Sequence, residues 1–308
     1  MNVIDRIIKY NRNPSISQFF NLKLLELMSF GVYHNEIQKI RDGLIDELRD
    51  YKLKNNINNV VIGMSGGIDS ALTASLFRDA GYTVTSVTLP IHQNPAETER
   101  GIEASKALGL NHEHIDLSDA YNNLVDFYRT TTFDFSKNDN NRSTLMRMGN
   151  IRARLRMITL YNLASKLKGF VASTDNFSEL AAGFWTLHGD VGDVAPIQSL
   201  TKSWEVPAMA ELQGVPSSII EAVPTDGLGI ANGDEDQFGF SYLEFDIALF
   251  LLIKNLSLDN ASDSDIEIIE NVKNRIRSTA FKRSNPYNLF HPVFGNRFSE
   301  LENLDNVL

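Results

Sequence analysis

The sequence predicts an α/β fold: a parallel, doubly wound sheet with helical additions at both ends. Two observations predict it. Short β-branched runs alternate with amphipathic helical stretches, and a glycine-rich turn lies where the first such run gives way to a helix. At 308 residues the chain is long enough for one large domain or two small ones.

Residues 1 to about 32 read as two short helical pieces separated by Asn11–Pro14. Their apolar residues Phe19, Phe20, Leu22, Leu24 and Leu25 are expected to pack on the body or on a second subunit. From Asn35, Ile37, Ile40, Leu44, Leu48 and Tyr51 keep a 3.6-residue period, which predicts an amphipathic helix ending in Asn55–Asn59. Val60–Met64 is a continuously apolar first strand, and a helix over Ser70–Ala80 stops at Gly81. Strand Thr83–Leu89, helix Ala96–Leu108, strand His112–Asp116 and a helix from Ser118 follow. Residues 130–143 are polar and predicted to be a loop. A long helix, Thr144–Lys168, leads into a fourth strand, Gly169–Ser173, and Asp193–Ile197 is the best candidate for a fifth. Helix Phe245–Leu256 and a basic helix around Ile266–Arg277 close the pattern.

Composition excludes several classes of chemistry. There is no cysteine, so thiolate zinc sites, iron–sulfur clusters, disulfides and thiol nucleophiles are impossible within the chain. A formal charge of −10 argues against a phosphate backbone as main partner, so no nucleic acid is expected. The longest apolar run, Ile247–Ile253, is far short of the roughly 20 residues a membrane helix needs. The start lacks the apolar stretch of a secretion signal, so a cytoplasmic setting and no membrane partner are expected.

The most informative stretch is Gly63-Met64-Ser65-Gly66-Gly67-Ile68-Asp69-Ser70. Adjacent glycines let successive N–H groups face one concavity, and the following helix adds its positive end. This is an anion cradle of phosphate size without the lysine of a Walker A loop. Asp69 would repel an anion there unless a cation lies between them, so it reads as a Mg2+ ligand. A plain glycine-rich turn with a serine cap is the bland alternative.

The full SGGxDS resembles the pyrophosphate loop of the N-type ATP pyrophosphatases. Further motifs narrow the resemblance. Gly149-Asn150-Ile151-Arg152-Ala153-Arg154-Leu155-Arg156-Met157 is similar to the GNxxARxRM segment of NAD synthetases. Ser173-Thr174-Asp175 with Glu179 is similar to their GTDxxxE, and Gly183-Phe184-Trp185-Thr186 with Gly189-Asp190 to GFFTxxGD. Pro196, Leu200, Thr201 and Lys202 fit P(x)nLTK, Pro224-Thr225 begins a PTxxL-like turn, and Asp234-Glu235 with Gly239, Ser241 and Tyr242 resembles DExxxGxSY.

The resemblance spans residues 35–285, flanked by an N-terminal extension (1–34) and a tail (286–308). It implies a Rossmann-like, adenine-nucleotide α-hydrolase-like fold. It also implies amidation of deamido-NAD by free ammonia through an acyl-adenylate, in a homodimer using ATP and Mg2+. The nearest alternative is amidation of nicotinate mononucleotide; a lysidine-type tRNA enzyme and an inactive nucleotide-binding homologue are more distant.

Carried over residue by residue, Gly63, Ser65, Gly66, Gly67, Asp69, Ser70, Thr174, Lys202 and Thr225 would contact ATP. Asp69 and Glu179 would hold the metal, Asp69 and Lys202 would serve catalysis, and Arg154, Asp193 and Lys282 would contact deamido-NAD. Taken alone, Arg152, Arg154 and Arg156 read as a solvated helix face, and Arg156 stays structural in this reading. Leu187, Phe281 and Thr88 depart from the family's usual lysine, histidine and arginine. Glutamine-dependent members need an amidase domain with a catalytic cysteine, which this chain lacks.

Overall fold

The computed structural model describes residues 3–11, 16–33, 36–131, 142–222, 235 and 239–286. Among these, four parallel strands form one sheet in the order β3-β2-β1-β4. They are β1 (Asn59–Gly63), β2 (Thr83–Thr88), β3 (Asn111–His114) and β4 (Gly169–Val171). In register, Val60 lies beside Val84 and Phe170, and Val61 beside Thr85 and Val171. The predicted fifth strand is reduced to a single parallel bridge, Ala172 to Val194. The chain turns away at Gly192, whose backbone lies so close to β4 that a Cβ would come within 2.5 Å of the Val171 carbonyl oxygen.

The period-2 alternation of β1 divides the core. Val60 and Ile62 face one apolar cluster and Val61 the other. The second cluster is covered by α6 (Ser118–Arg129) and α7 (Arg142–Leu167), through Tyr121, Val125, Met157 and Leu160. The first and larger cluster gathers α1 (Val3–Tyr10), α2 (Gln18–Ser29), α3 (Ile37–Asn55), α4 (Ile68–Asp79) and α5 (Pro95–Ala107). It also gathers α8 (Phe177–Ala182), α9 (Glu205–Leu212), α10 (Ser217–Ile220), α11 (Tyr242–Lys254) and α12 (Asp263–Ser278). Helices on both faces of a parallel sheet are the doubly wound arrangement expected.

The N-terminal helices join this core: Ile7, Phe19, Phe20, Leu24 and Leu27 are buried, whereas Leu22 and Leu25 are exposed. The helix expected to be basic, α12, is acidic in its first turn (Asp263, Asp265) and basic toward its C-terminal end (Lys273, Arg275, Arg277). This polarity complements the helix dipole. The tail beyond Pro286, most of the 130–143 loop, and Pro224, Thr225 and Asp234 lie outside the described residues. No described helix is long and apolar enough to cross a membrane.

Candidate active site

The strand order brings the C-terminal ends of β1, β2 and β4 to one edge of the sheet, and a cavity of about 250 Å3 opens there. Its floor is the glycine-rich loop after β1. Met64 N–H donates to the Val87 carbonyl (2.8 Å), carrying the sheet pairing one residue further before the chain turns. Gly66 makes the turn at φ +84°. There the loop presses so closely on α5 that a Cβ would lie 2.3 Å from the Glu97 carbonyl oxygen. From the other side, a Cβ on Gly101 of α5 would lie 2.7 Å from the Met64 oxygen. Backbone-to-backbone packing therefore sets the loop, and two glycines permit it.

Ser65 Oγ accepts from Gly67 N–H (3.2 Å), and Ser70 Oγ donates to the Gly67 carbonyl (2.9 Å). No side chain caps the N-terminus of α4, so its positive end remains available beside the loop. Gly63, Ser65, Gly66, Gly67, Asp69, Ser70, Thr174, Glu179 and Lys202 all line the cavity.

The cavity's charged centre is a cluster from three segments. Lys202 Nζ, in the turn before α9, bonds Asp69 Oδ2 and lies 3.8 Å from Glu179 Oε1. All three side chains are largely buried, with relative exposures of 8, 15 and 13%. The other Glu179 oxygen closes a capping box on α8: Asn176 N–H donates to Oε2 (3.2 Å) and Glu179 N–H to Asn176 Oδ1 (3.0 Å). Asn176 Nδ2 also donates to Asp69 Oδ1 (3.0 Å), tying α8 to the phosphate loop. Two carboxylates thus converge on one cation position, a donor set that suits Mg2+, which keeps several waters and phosphate oxygens of its own.

Sequence reasoning missed several participants. Asp175 and Asp190 both line the cavity. Burial, with the Asp190 charge acting on Asp175, pushes the Asp175 carboxyl well above the usual carboxylate range. Burial raises Asp190 as well, although Thr186 N–H donates to both its oxygens (2.9 and 3.1 Å). Burial thus shifts both carboxyls toward the protonated form. Arg156, assigned above only a structural part, lines the cavity from α7. Its Nε donates to the Leu89 carbonyl (3.1 Å) and its Nη2 to Gln93 Oε1 (3.0 Å). Phe184 supplies an aromatic wall. The acidic residues of the GTDxxxE and GFFTxxGD segments were the available signal.

Arg154, Asp193 and Lys282 are not brought to this cavity. Arg154 is exposed on α7 and its Nε donates to the Leu187 carbonyl (3.2 Å). Both oxygens of Asp193 are engaged, Oδ1 by the Tyr161 hydroxyl (2.6 Å) and Oδ2 by Val171 N–H (2.9 Å), so the side chain secures the edge of β4. Lys282 Nζ donates to the carbonyls of Gly183 (2.7 Å) and Trp185 and lies over the Trp185 ring.

A parallel α/β fold carrying an uncapped helix start, a glycine-turned loop and a carboxylate–lysine cluster at its strand ends defines a nucleotide-binding protein. Comparison with known proteins makes this specific. The family model for NAD synthase matches residues 40–286, and the chain belongs to that family. It is 36% identical to an NH3-dependent NAD+ synthetase of Finegoldia magna, over 75% of this chain and 91% of that protein. Among solved structures it resembles NMN synthetase from Francisella tularensis, with TM-score 0.69 and 28% identity over 83% of this chain and 98% of the other. NH3-dependent NAD synthetase from Campylobacter jejuni is similar at TM-score 0.66 and 29% identity, over 82% and 99% of the two chains.

Proposed function

We propose that this protein is an ammonia-dependent NAD+ synthetase, converting deamido-NAD, ATP and ammonia to NAD, AMP and pyrophosphate. The observation that carries the reading is the convergence of the phosphate loop, the Asp69–Lys202–Glu179 cluster and the buried Asp175 and Asp190 on one cavity. The curated relatives of that name add to it.

A carboxylate and ammonia do not condense at useful rates, so the carboxylate must first become an acyl donor. A carboxylate oxygen of the acceptor attacks the α-phosphorus of ATP, and the α–β bridging bond breaks to release pyrophosphate. Ammonia then attacks the acyl carbon and AMP leaves with the oxygen that formed the mixed anhydride. The loop N–H groups, the α4 terminus and Lys202 serve this by holding the polyphosphate in line and stabilising its departing charge. Mg2+, held by Asp69 and Glu179, would neutralise the phosphates further. Attack by nitrogen releases one proton, and Asp175 or Asp190, with pKa raised toward neutrality by burial, is suited to accept it.

A homodimer is part of this reading. Arg154, Ile158 and Tyr161 follow one another at i, i+4 and i+7 on one face of α7, and Ile158 is 66% exposed. A second copy packed there would complete the acceptor site around Arg154. A cytoplasmic location, where ATP and ammonium are available, fits the same reading.

One comparison favours a second acceptor, the likeness to NMN synthetase at 28% identity. Purified protein supplied with Mg2+–ATP and ammonium is expected to release AMP when deamido-NAD is added, and less with nicotinate mononucleotide. Glutamine in place of ammonium is expected to fail, because the chain has no cysteine for its hydrolysis. No AMP with either acceptor would refute the proposal, and preference for the mononucleotide would reassign it to NMN synthesis.

A further inference from the structure

Among the buried carboxylates that the reaction leaves unused, Asp246 is the one tied to the charged cluster. Asp246 of α11 is fully buried and lines neither the nucleotide cavity nor the adjoining one beneath α1, so it is out of reach of substrate. Its Oδ1 accepts from Ser178 Oγ (2.5 Å), and its Oδ2 from Ser203 N–H (3.0 Å). Ser178 immediately precedes Glu179, and Ser203 immediately follows Lys202. Ser178 Oγ in turn accepts from Lys202 N–H (3.0 Å), so Asp246, Ser178 and the Lys202–Ser203 backbone form a closed ring of hydrogen bonds. One helical turn earlier, the Tyr242 ring lies 5.7 Å from Lys202 Nζ.

A buried charge is costly, and the flanking positions of α11 (Phe245, Ile247, Ala248) satisfy the core with apolar groups. An aspartate here gives the core no packing that an apolar side chain would not. What it does provide is two acceptors that fasten the Glu179 helix and the Lys202 turn to one point. The geometry points to Asp246 as the positioning residue that sets the spacing of Glu179 and Lys202, and with it the affinity of the cavity for Mg2+–ATP. This inference rests on the functional reading above for the identity of the nucleotide, but it can be tested on binding alone.

Calorimetric titration of the whole protein with Mg2+–ATP, without acceptor, compares wild type with Asp246→Asn, Ser178→Ala and the double variant. In Asp246→Asn the charged acceptor is lost and the Ser178 hydroxyl must turn round to accept from the amide NH2, so the fastening to Ser178 is weakened. Each single variant is expected to bind Mg2+–ATP about tenfold more weakly. The double variant is expected to be no weaker than the weaker single, because both changes break one network. Titration with deamido-NAD should be unchanged in all of them. A residue with a merely structural part would lower the melting temperature and leave the affinity of the folded fraction intact. Native Mg2+–ATP affinity in Ser178→Ala, whatever the fate of Asp246→Asn, overturns the inference. Wild type that binds Mg2+–ATP yet releases no AMP with any acceptor refutes the proposed function and leaves this inference standing on its binding data.

Discussion

Asp69→Ala is expected to abolish AMP release, with a loss of about 10³-fold or more. Asp69 occupies the first turn of α4, where its Oδ2 meets Lys202 and its Oδ1 takes the Asn176 amide. Removing it takes away half of the carboxylate pair that would hold Mg2+ and frees Lys202 to be drawn toward Glu179. The same change breaks a largely buried ion pair, a loss on the order of 3 kcal/mol when one partner is deleted. The melting temperature is therefore expected to fall along with activity. Asp69→Asn keeps the volume and the bond from Asn176 but not the ion pair, its NH2 facing the Lys202 ammonium, so the melting temperature should recover only in part while activity does not. A chromatographic AMP assay beside a thermal melt checks both. Full turnover in Asp69→Ala would remove the residue from the chemistry.

Gly66→Ala is expected to weaken ATP binding by about two orders of magnitude, because both the turn and its packing forbid a side chain. At φ +84° an L-residue pays roughly 1–2 kcal/mol. Beyond that, the new Cβ would lie 2.3 Å from the Glu97 oxygen and 3.1 Å from Gly101 N. Both neighbours belong to the backbone of α5, so the loop must move and its N–H groups lose their common focus. Gly67→Ala is the control: Gly67 has φ −93°, and its nearest neighbour would be Ser65 Oγ at 3.3 Å, a side chain able to shift. Nucleotide titration of the two variants should separate them by at least tenfold. Equal, mild effects would mean that the loop is not held by α5.

Strands β1, β2 and β4 were legible because each is a short apolar or β-branched run introduced by glycine or asparagine, whereas β3 (Asn111–His114) is polar and was carried by the alternation of strand and helix around it. What failed to show has physical causes. Helix α9 is buried at every position from Glu205 to Ala210, so it has no polar stripe to give a period. Helix α8 spans only Phe177–Ala182, and its signature is the Asn176–Glu179 capping box, read above only as a motif spacing. Of the fifth-strand candidate Asp193–Ile197 only Val194 pairs with the sheet, and Pro196, which has no N–H to donate, does not extend the ladder.

In the site, the loop, Glu179 and Lys202 could be read from ordered motifs. Asn176 and Asp246 could not, since their importance comes from neighbours 107 and 68 residues away, Asp69 and Ser178. Arg156 was separable from Arg154 only by structure. Two residues apart on α7, one turns to the cavity and the other to solvent.

The central claim is that the acceptor carboxylate itself is adenylated before ammonia attacks. Deamido-NAD labelled with 18O in both carboxylate oxygens tests it most directly when turned over with unlabelled ATP, ammonium and Mg2+. Mass spectrometry of the products is expected to find one 18O in the phosphate of AMP, one retained in the amide of NAD and none in pyrophosphate. Unlabelled AMP, or label in pyrophosphate or inorganic phosphate, would contradict the account.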